Sequence, residues 1–288
     1  MSMSRFGHNN GQAIVGVHTS GDSLPRAARL PINRCNLPAA ILGGITFQRH
    51  PTALKLDGVE ETHARLFAGL RALAEPAARA RLFMAHMNAA FSLEHPEEAG
   101  LDGGRGRPRA HYLNLLRGWA FDADGREGAV LKGWVESRFG LLPRHHGGPL
   151  RDPADPGWQR YLAQRCGGLY NTNALEAQLD LLYAYCQHEL ARRHPGETHL
   201  TLYRGVNDMA AFETLGVTAD GRRVLLLNNL NSFSRERERA GEFGDIILEA
   251  RVPLAKVCFF QGLLPGRLAG EAEYAVIGGV YEVARAVS

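Results

Sequence analysis

The chain has 288 residues, 33 Lys and Arg against 30 Asp and Glu, and a formal net charge of +3. Its 45% hydrophobic and 22% charged fractions are those of an ordinary soluble globule of one or two domains, long enough to bury a core without disulfide staples. These values exclude a disordered chain, a collagen, a coiled coil and a strongly basic nucleic-acid binder.

Only Lys55, Lys132 and Lys256 are lysines, so nearly all the positive charge is arginine. Coding bias explains this, since Ala and Gly are also abundant; a need for Arg forks on phosphates is the alternative. Cys35, Cys166, Cys186 and Cys258 lie far apart with no Cys-x-x-Cys pair, which predicts reduced, mostly buried thiols and neither a zinc ribbon nor a redox motif. The first ten residues lack the apolar core of a signal peptide, and no apolar run is long enough to span a bilayer. The expected location is the cytoplasm.

Residues 1–12 are polar and rich in Gly and Asn, and read as a flexible tail. Residues 13–58 give short apolar runs without a clean period. From Glu60 to Leu93 the period is helical, with Pro76 at a helix start and Phe83, Met87 and Ala90 on one face. Residues 100–107 read as a loop. Further helices are predicted over Pro108–Trp119, Glu127–Phe139 and Asn173–His194, the last opened by a capping box of Asn173 and Glu176.

After residue 197 the period falls to two. Strands are predicted from His199 to Arg204, and over Val224–Leu227, Leu230–Ser234, Asp245–Val252, Lys256–Phe260, Glu273–Ile277 and Val280–Ala286. The class is therefore α+β, with a mainly helical region 13–196 and a β-rich region 197–288.

Several familiar sites fail on spacing. His188-Glu189 has Arg192, not His, four residues on, so no zinc-protease helix forms. Neither a P-loop nor a dinucleotide-binding Gly-rich turn is present. Gly103-Gly104-Arg105-Gly106-Arg107 reads as a solvated turn, and His145-His146 as a surface pair. No metal is predicted.

The β-rich third is more informative. Arg204 shares a strand face with Leu200 and Leu202, where a guanidinium needs either solvent at the strand end or an anionic partner in a cleft. Ser232-Phe233-Ser234 puts two hydroxyls on one strand face. Glu271-Ala272-Glu273 opens an apolar run with two carboxylates on one face, their Cβ atoms within about 7 Å. Such a pair is either an edge-strand charge cluster or a functional device.

Together, Tyr203-Arg204-Gly205, Ser232-Phe233-Ser234 and Glu271-Ala272-Glu273, in this order, resemble the mono-ADP-ribosyltransferases of the arginine–serine–glutamate class. The wider wording, Asn228 to Ser234 and Glu242-Phe243-Gly244-Asp245, is similar to those members that modify the nitrogenase iron protein of nitrogen-fixing bacteria. The resemblance implies a core of two antiparallel sheets around a cleft for NAD+, used as co-substrate, with residues 13–196 recognising the target.

It also implies roles. Glu273 stabilises an oxocarbenium-like transition state; Arg204 holds the pyrophosphate; Ser232 orients Glu273; Gly205 leaves room for the nicotinamide amide. Ser234, Asn229 and Arg235 are further cofactor contacts, and Phe243 is a loop aromatic over the nicotinamide. Glu271 faces an arginine acceptor and takes its proton. The implied partners are the iron protein as substrate and a PII-type signalling protein as regulator, with no nucleic acid and no membrane span. The alternatives are a toxin-like enzyme with another target, or a non-catalytic NAD-binding or Arg-rich adaptor. The intact Glu271/Glu273 pair argues against a non-catalytic module, and the near-neutral charge against a nucleic-acid adaptor.

Overall fold

The computed structural model describes residues 23–94, 110–170, 172–266 and 273–286. The tail 1–12, the 100–107 loop and Glu271 lie outside the described residues. Nine α-helices among those described precede the first strand: α1 Ala39–Leu42, α2 Ile45–Arg49, α3 Val59–Thr62, α4 Ala64–Ala72, α5 Pro76–Phe91, α6 Tyr112–Phe121, α7 Arg126–Phe139, α8 Pro156–Gly168 and α9 Ala174–Arg193. Six strands follow, β1 His199–Val206, β2 Glu213–Val217, β3 Arg223–Ser234, β4 Ile246–Pro253, β5 Val257–Phe260 and β6 Glu273–Arg285, with α10 Arg237–Gly241 after β3. No helix among the described residues is long and apolar enough to cross a membrane.

The helical segment before Pro76 is split into α3 and α4, and Pro76 does open α5 at its first turn. The helix over Pro156–Gly168 is absent from the sequence reading, because its apolar positions give no continuous stripe. The cap of α9 also differs. Asn173 has αR geometry and makes no side-chain cap, whereas Thr172 Oγ1 accepts from the Ala174 N–H at 3.1 Å. Cys186 and Cys258 are buried, Cys35 is half-buried and Cys166 is exposed.

The strands form one antiparallel sheet, in place of the two expected. Its order is β2-β3-β1-β4-β6-β5, and β3 also pairs with β6, so β3, β1, β4 and β6 close on themselves like a small barrel. Two predicted strand pairs are each one continuous strand. Asn228 and Asn229 interrupt β3 with a bulge between Leu227 and Leu230, opposite Gly278 of β6. Gly279 has φ +108° and backs onto Gly43, a close approach that a side chain would block.

The helices grip this sheet through polar side chains. Tyr183 of α9 donates to the Ala255 carbonyl at 2.7 Å, and Gln187 to that of Val257 at 2.7 Å. Gln48 of α2 bonds the backbone of Arg251 and Glu282. Within the helical layer, buried Arg79 is paired with buried Glu189. One apolar cluster runs from Leu24 to Val283 through both regions.

Candidate active site

The register of the closed sheet brings the three sequence-predicted groups together. β1 meets β3 at Tyr203↔Ser234, which sets Arg204 beside the end of β3. β3 meets β6 at Ser234↔Glu273 and Ser232↔Ala275, so Ser232 and Glu273 are diagonal neighbours on one face. Ser232 Oγ donates to Glu273 Oε1. Arg204 Nη1 donates to the Ser232 carbonyl at 2.7 Å, while its buried Nε has no partner. Burial presses the Arg204 pKa below its ordinary value, opposed by the charges of Glu273 and Asp124.

Arg204 and Ser232 line a cleft of about 490 Å³, together with Gly205, Phe243, Asn228, Asn231 and, from the helical region, Trp119, Asp124, Lys132, Arg144 and His145. Lys132 Nζ, itself buried, donates to Asp124 Oδ1 at 2.6 Å. Burial works to raise the Asp124 pKa, but the hydrogen bond with His145 and the Lys132 charge prevail and hold it well below its ordinary value. The cleft thus has charges of both signs, Lys132, Arg144, Arg151 and Arg204 against Asp124, Asp208 and Glu213, and a buried guanidinium edge that lacks an acceptor, which suits a phosphate-like oxygen.

The other named residues divide. Phe243 is 59% exposed at the cleft edge, just past α10. Gly205 lines the cleft and also has a packing reason, since a Cβ there would lie 1.9 Å from the Ala240 carbonyl oxygen. Ser234 Oγ accepts from the Glu236 N–H at 3.0 Å, leaving its own O–H to donate elsewhere. Asn229 faces away from the cleft. Buried against α7, it donates to the carbonyls of Lys132 and Leu141, because the bulge turns it inward, and Asn231 lines the cleft instead. Arg235 is exposed and is not part of the cleft lining.

Sequence reasoning missed Trp119, whose Nε1–H donates to Glu273 Oε1 at 2.8 Å. In the sequence it is one apolar position in a helical stripe, with no signal to set it apart. His146 is not the surface residue expected. It is 1% exposed and bonded to Lys132 and Gln164, while half-exposed His145 faces the cleft. No group of three or more His, Cys, Asp or Glu side chains able to hold a metal ion occurs among the described residues.

Comparison with known proteins supplies a second, independent line. No solved structure matches the chain. Residues 32–285 match the family described as dinitrogenase reductase ADP-ribosyltransferase. The NAD(+)–dinitrogen-reductase ADP-D-ribosyltransferase of Rhodospirillum rubrum is 41% identical over 257 residues, covering 87% of this chain and 93% of that protein.

Proposed function

The chain belongs to the dinitrogenase reductase ADP-ribosyltransferase family, and from that premise we propose that its cleft binds NAD+ and that its acceptor is an arginine of dinitrogenase reductase. It is an enzyme that transfers ADP-ribose from NAD+ to that protein. The observation that carries the assignment of residues is that Arg204 and Ser232 line one cleft, with the Arg204 Nε buried and unpartnered, while Glu273 is bonded to Ser232 and to the cleft-lining Trp119.

In this reading NAD+ supplies a labile nicotinamide–ribose bond. Arg204 offers the edge that carries Nε to the pyrophosphate, as its Nη1 is already committed to Ser232. Glu273 faces the positive charge that develops at the ribose carbon. Among the described residues its Oε1 takes both hydrogen bonds, from Ser232 and Trp119, so Oε2 is free for a ribose hydroxyl. The free edge of Arg204 attracts the pyrophosphate, the dianionic part of NAD+. Phe243 covers the nicotinamide, and the Gly205 backbone bonds its amide. Ser234, Asn229 and Arg235 were the other expected contacts. Asn229 is not retained as a contact, because it is committed to the Lys132 and Leu141 carbonyls, and Arg235 reaches the ligand only through a shift of local structure.

Glu271 orients the acceptor guanidinium, which stays protonated to high pH and is a poor nucleophile without a base. Glu271→Gln should leave slow NAD+ hydrolysis in place and cut labelling of dinitrogenase reductase by roughly 10²–10⁴-fold. Parallel loss of both activities, or full labelling, would remove Glu271 from this role.

The helical region would provide the acceptor surface. Its Phe121 is 94% exposed on α6, two residues beyond the cleft-lining Trp119. Phe121→Ser should raise the KM for dinitrogenase reductase without slowing nicotinamide release; an unchanged KM would move the acceptor surface elsewhere. A PII-type regulator and a cytoplasmic location belong to the same reading, on the sequence resemblance alone.

A further inference from the structure

We propose that Trp119 is a positioning residue for Glu273, so that the helical region supplies part of the machinery around the reacting ribose; this rests on the reading of Glu273 given above. The indole is 3% exposed, and its Nε1–H donates to Glu273 Oε1 at 2.8 Å. A buried indole N–H can bond any nearby acceptor, and a backbone carbonyl would satisfy it equally. Here the acceptor is the side chain that opens β6, on the same oxygen that Ser232 uses.

The two donors differ in a way that matters. A serine hydroxyl can rotate, and can accept as well as donate; an indole N–H only donates, along a direction fixed by the ring. Trp119 therefore sets the plane of the carboxylate, and Ser232 completes the clamp on Oε1. Oε2 then points away from both donors with no partner among the described residues. A carboxylate free to turn would spend part of its time with the wrong oxygen toward substrate, which a site of this kind cannot tolerate beyond about 10–20°.

The helix that carries Trp119 is anchored at both ends. Gln178 of α9 accepts from the Tyr112 N–H at 2.8 Å and donates to the Ala110 carbonyl at 3.2 Å, fixing the start of α6. Just beyond its end, Asp124 grips the buried Nζ of Lys132 on α7. The indole is thus held by a braced element rather than by a loop.

The test is the rate of nicotinamide release and the NAD+ KM for Trp119→Phe, which keeps a ring but removes the N–H. The expected result is a kcat lower by roughly 10- to 100-fold, the range for losing a hydrogen bond to a charged group, with KM within about twofold. The double variant with Ser232→Ala should lose less than the product of the two single losses, because both act on one oxygen. Since Phe leaves part of the indole volume empty, site-specific replacement of Trp119 by its benzothiophene isostere removes only the donor. An isostere with the parent kcat, or a Trp119→Phe deficit fully accounted for by a lower folded fraction, would overturn the proposal. Glu273→Gln serves as the control. If it retains activity, the reading of Glu273 fails; if it is inactive while the isostere is fully active, only the role of Trp119 fails.

Discussion

Arg204 is the residue at which sequence and structure agree most informatively. A guanidinium in register with Leu200 and Leu202 had to find a partner, and it finds one carbonyl while its Nε stays buried and unpaired. Arg204→Lys should raise the NAD+ KM by about 10- to 100-fold, because an ammonium cannot offer two parallel donors to a pyrophosphate. An unchanged KM would make Arg204 a purely structural tie between β1 and β3. Gly205→Ala tests the neighbouring backbone: the added methyl would strike the Ala240 carbonyl, so Phe243 should shift and thermal stability should fall. Period-two alternation marked Arg204, Ser232 and Glu273 as unusual on their strand faces, and only the resemblance grouped them. Asn229 was not legible, because a bulge inverts that alternation and leaves no mark beyond the Asn residues themselves. Trp119 was not, because an apolar helix position looks the same whether its ring merely packs or also donates.

Among the elements, β3 and β6 decide the architecture. Each was read as two short strands, since Asn228-Asn229 and Gly278-Gly279 resemble turn punctuation. In the structure Asn228-Asn229 form a bulge opposite Gly278 in two long paired strands, which allows the sheet to bend and close. Local sequence cannot distinguish a bulge from a turn; only the pairing partner does. The bulge also ties the sheet to the helices, because Asn228 Oδ1 accepts from the Arg144 N–H at 2.8 Å and Asn229 reaches α7. Asn229→Leu should therefore destabilise the fold by about 1–3 kcal/mol through unpaired carbonyls, with little effect on NAD+ affinity in the folded fraction. Equilibrium denaturation and KM on the same preparation separate the two effects.

At the scale of the whole molecule, the most unusual internal group is Lys256. It is fully buried, donates to the Gly278 carbonyl at 2.8 Å and lies over the Tyr281 ring. Burial lowers its pKa from 10.5 to about 7. Below pH 7 both folded and unfolded chains carry the proton and this group adds no pH dependence. Between pH 7 and its unfolded pKa the unfolded chain binds the extra proton, so stability must rise with pH. The rise is clearest from pH 7 to 9, before the buried thiols of Cys186 and Cys258, whose pKa values burial raises, begin to work the other way. Urea midpoints should increase over that window in the parent and stay flat in Lys256→Met. A parent profile already flat would mean that the ammonium is accommodated without cost. The helical region and the sheet share one apolar cluster, so residues 197–288 expressed alone should show no cooperative unfolding transition.

Whether Glu273 carries the chemistry of ADP-ribose transfer is decided by incubating purified dinitrogenase reductase with labelled NAD+ and either the parent or Glu273→Gln. The carboxylate and the carboxamide are nearly isosteric, and the loss of one stabilising charge at a developing cation is worth about 3–4 kcal/mol. If Glu273 has this role, the parent releases nicotinamide and labels one arginine, and the folded variant does both at least about 10²-fold more slowly. A folded Glu273→Gln that labels the same arginine at the parent rate would contradict it.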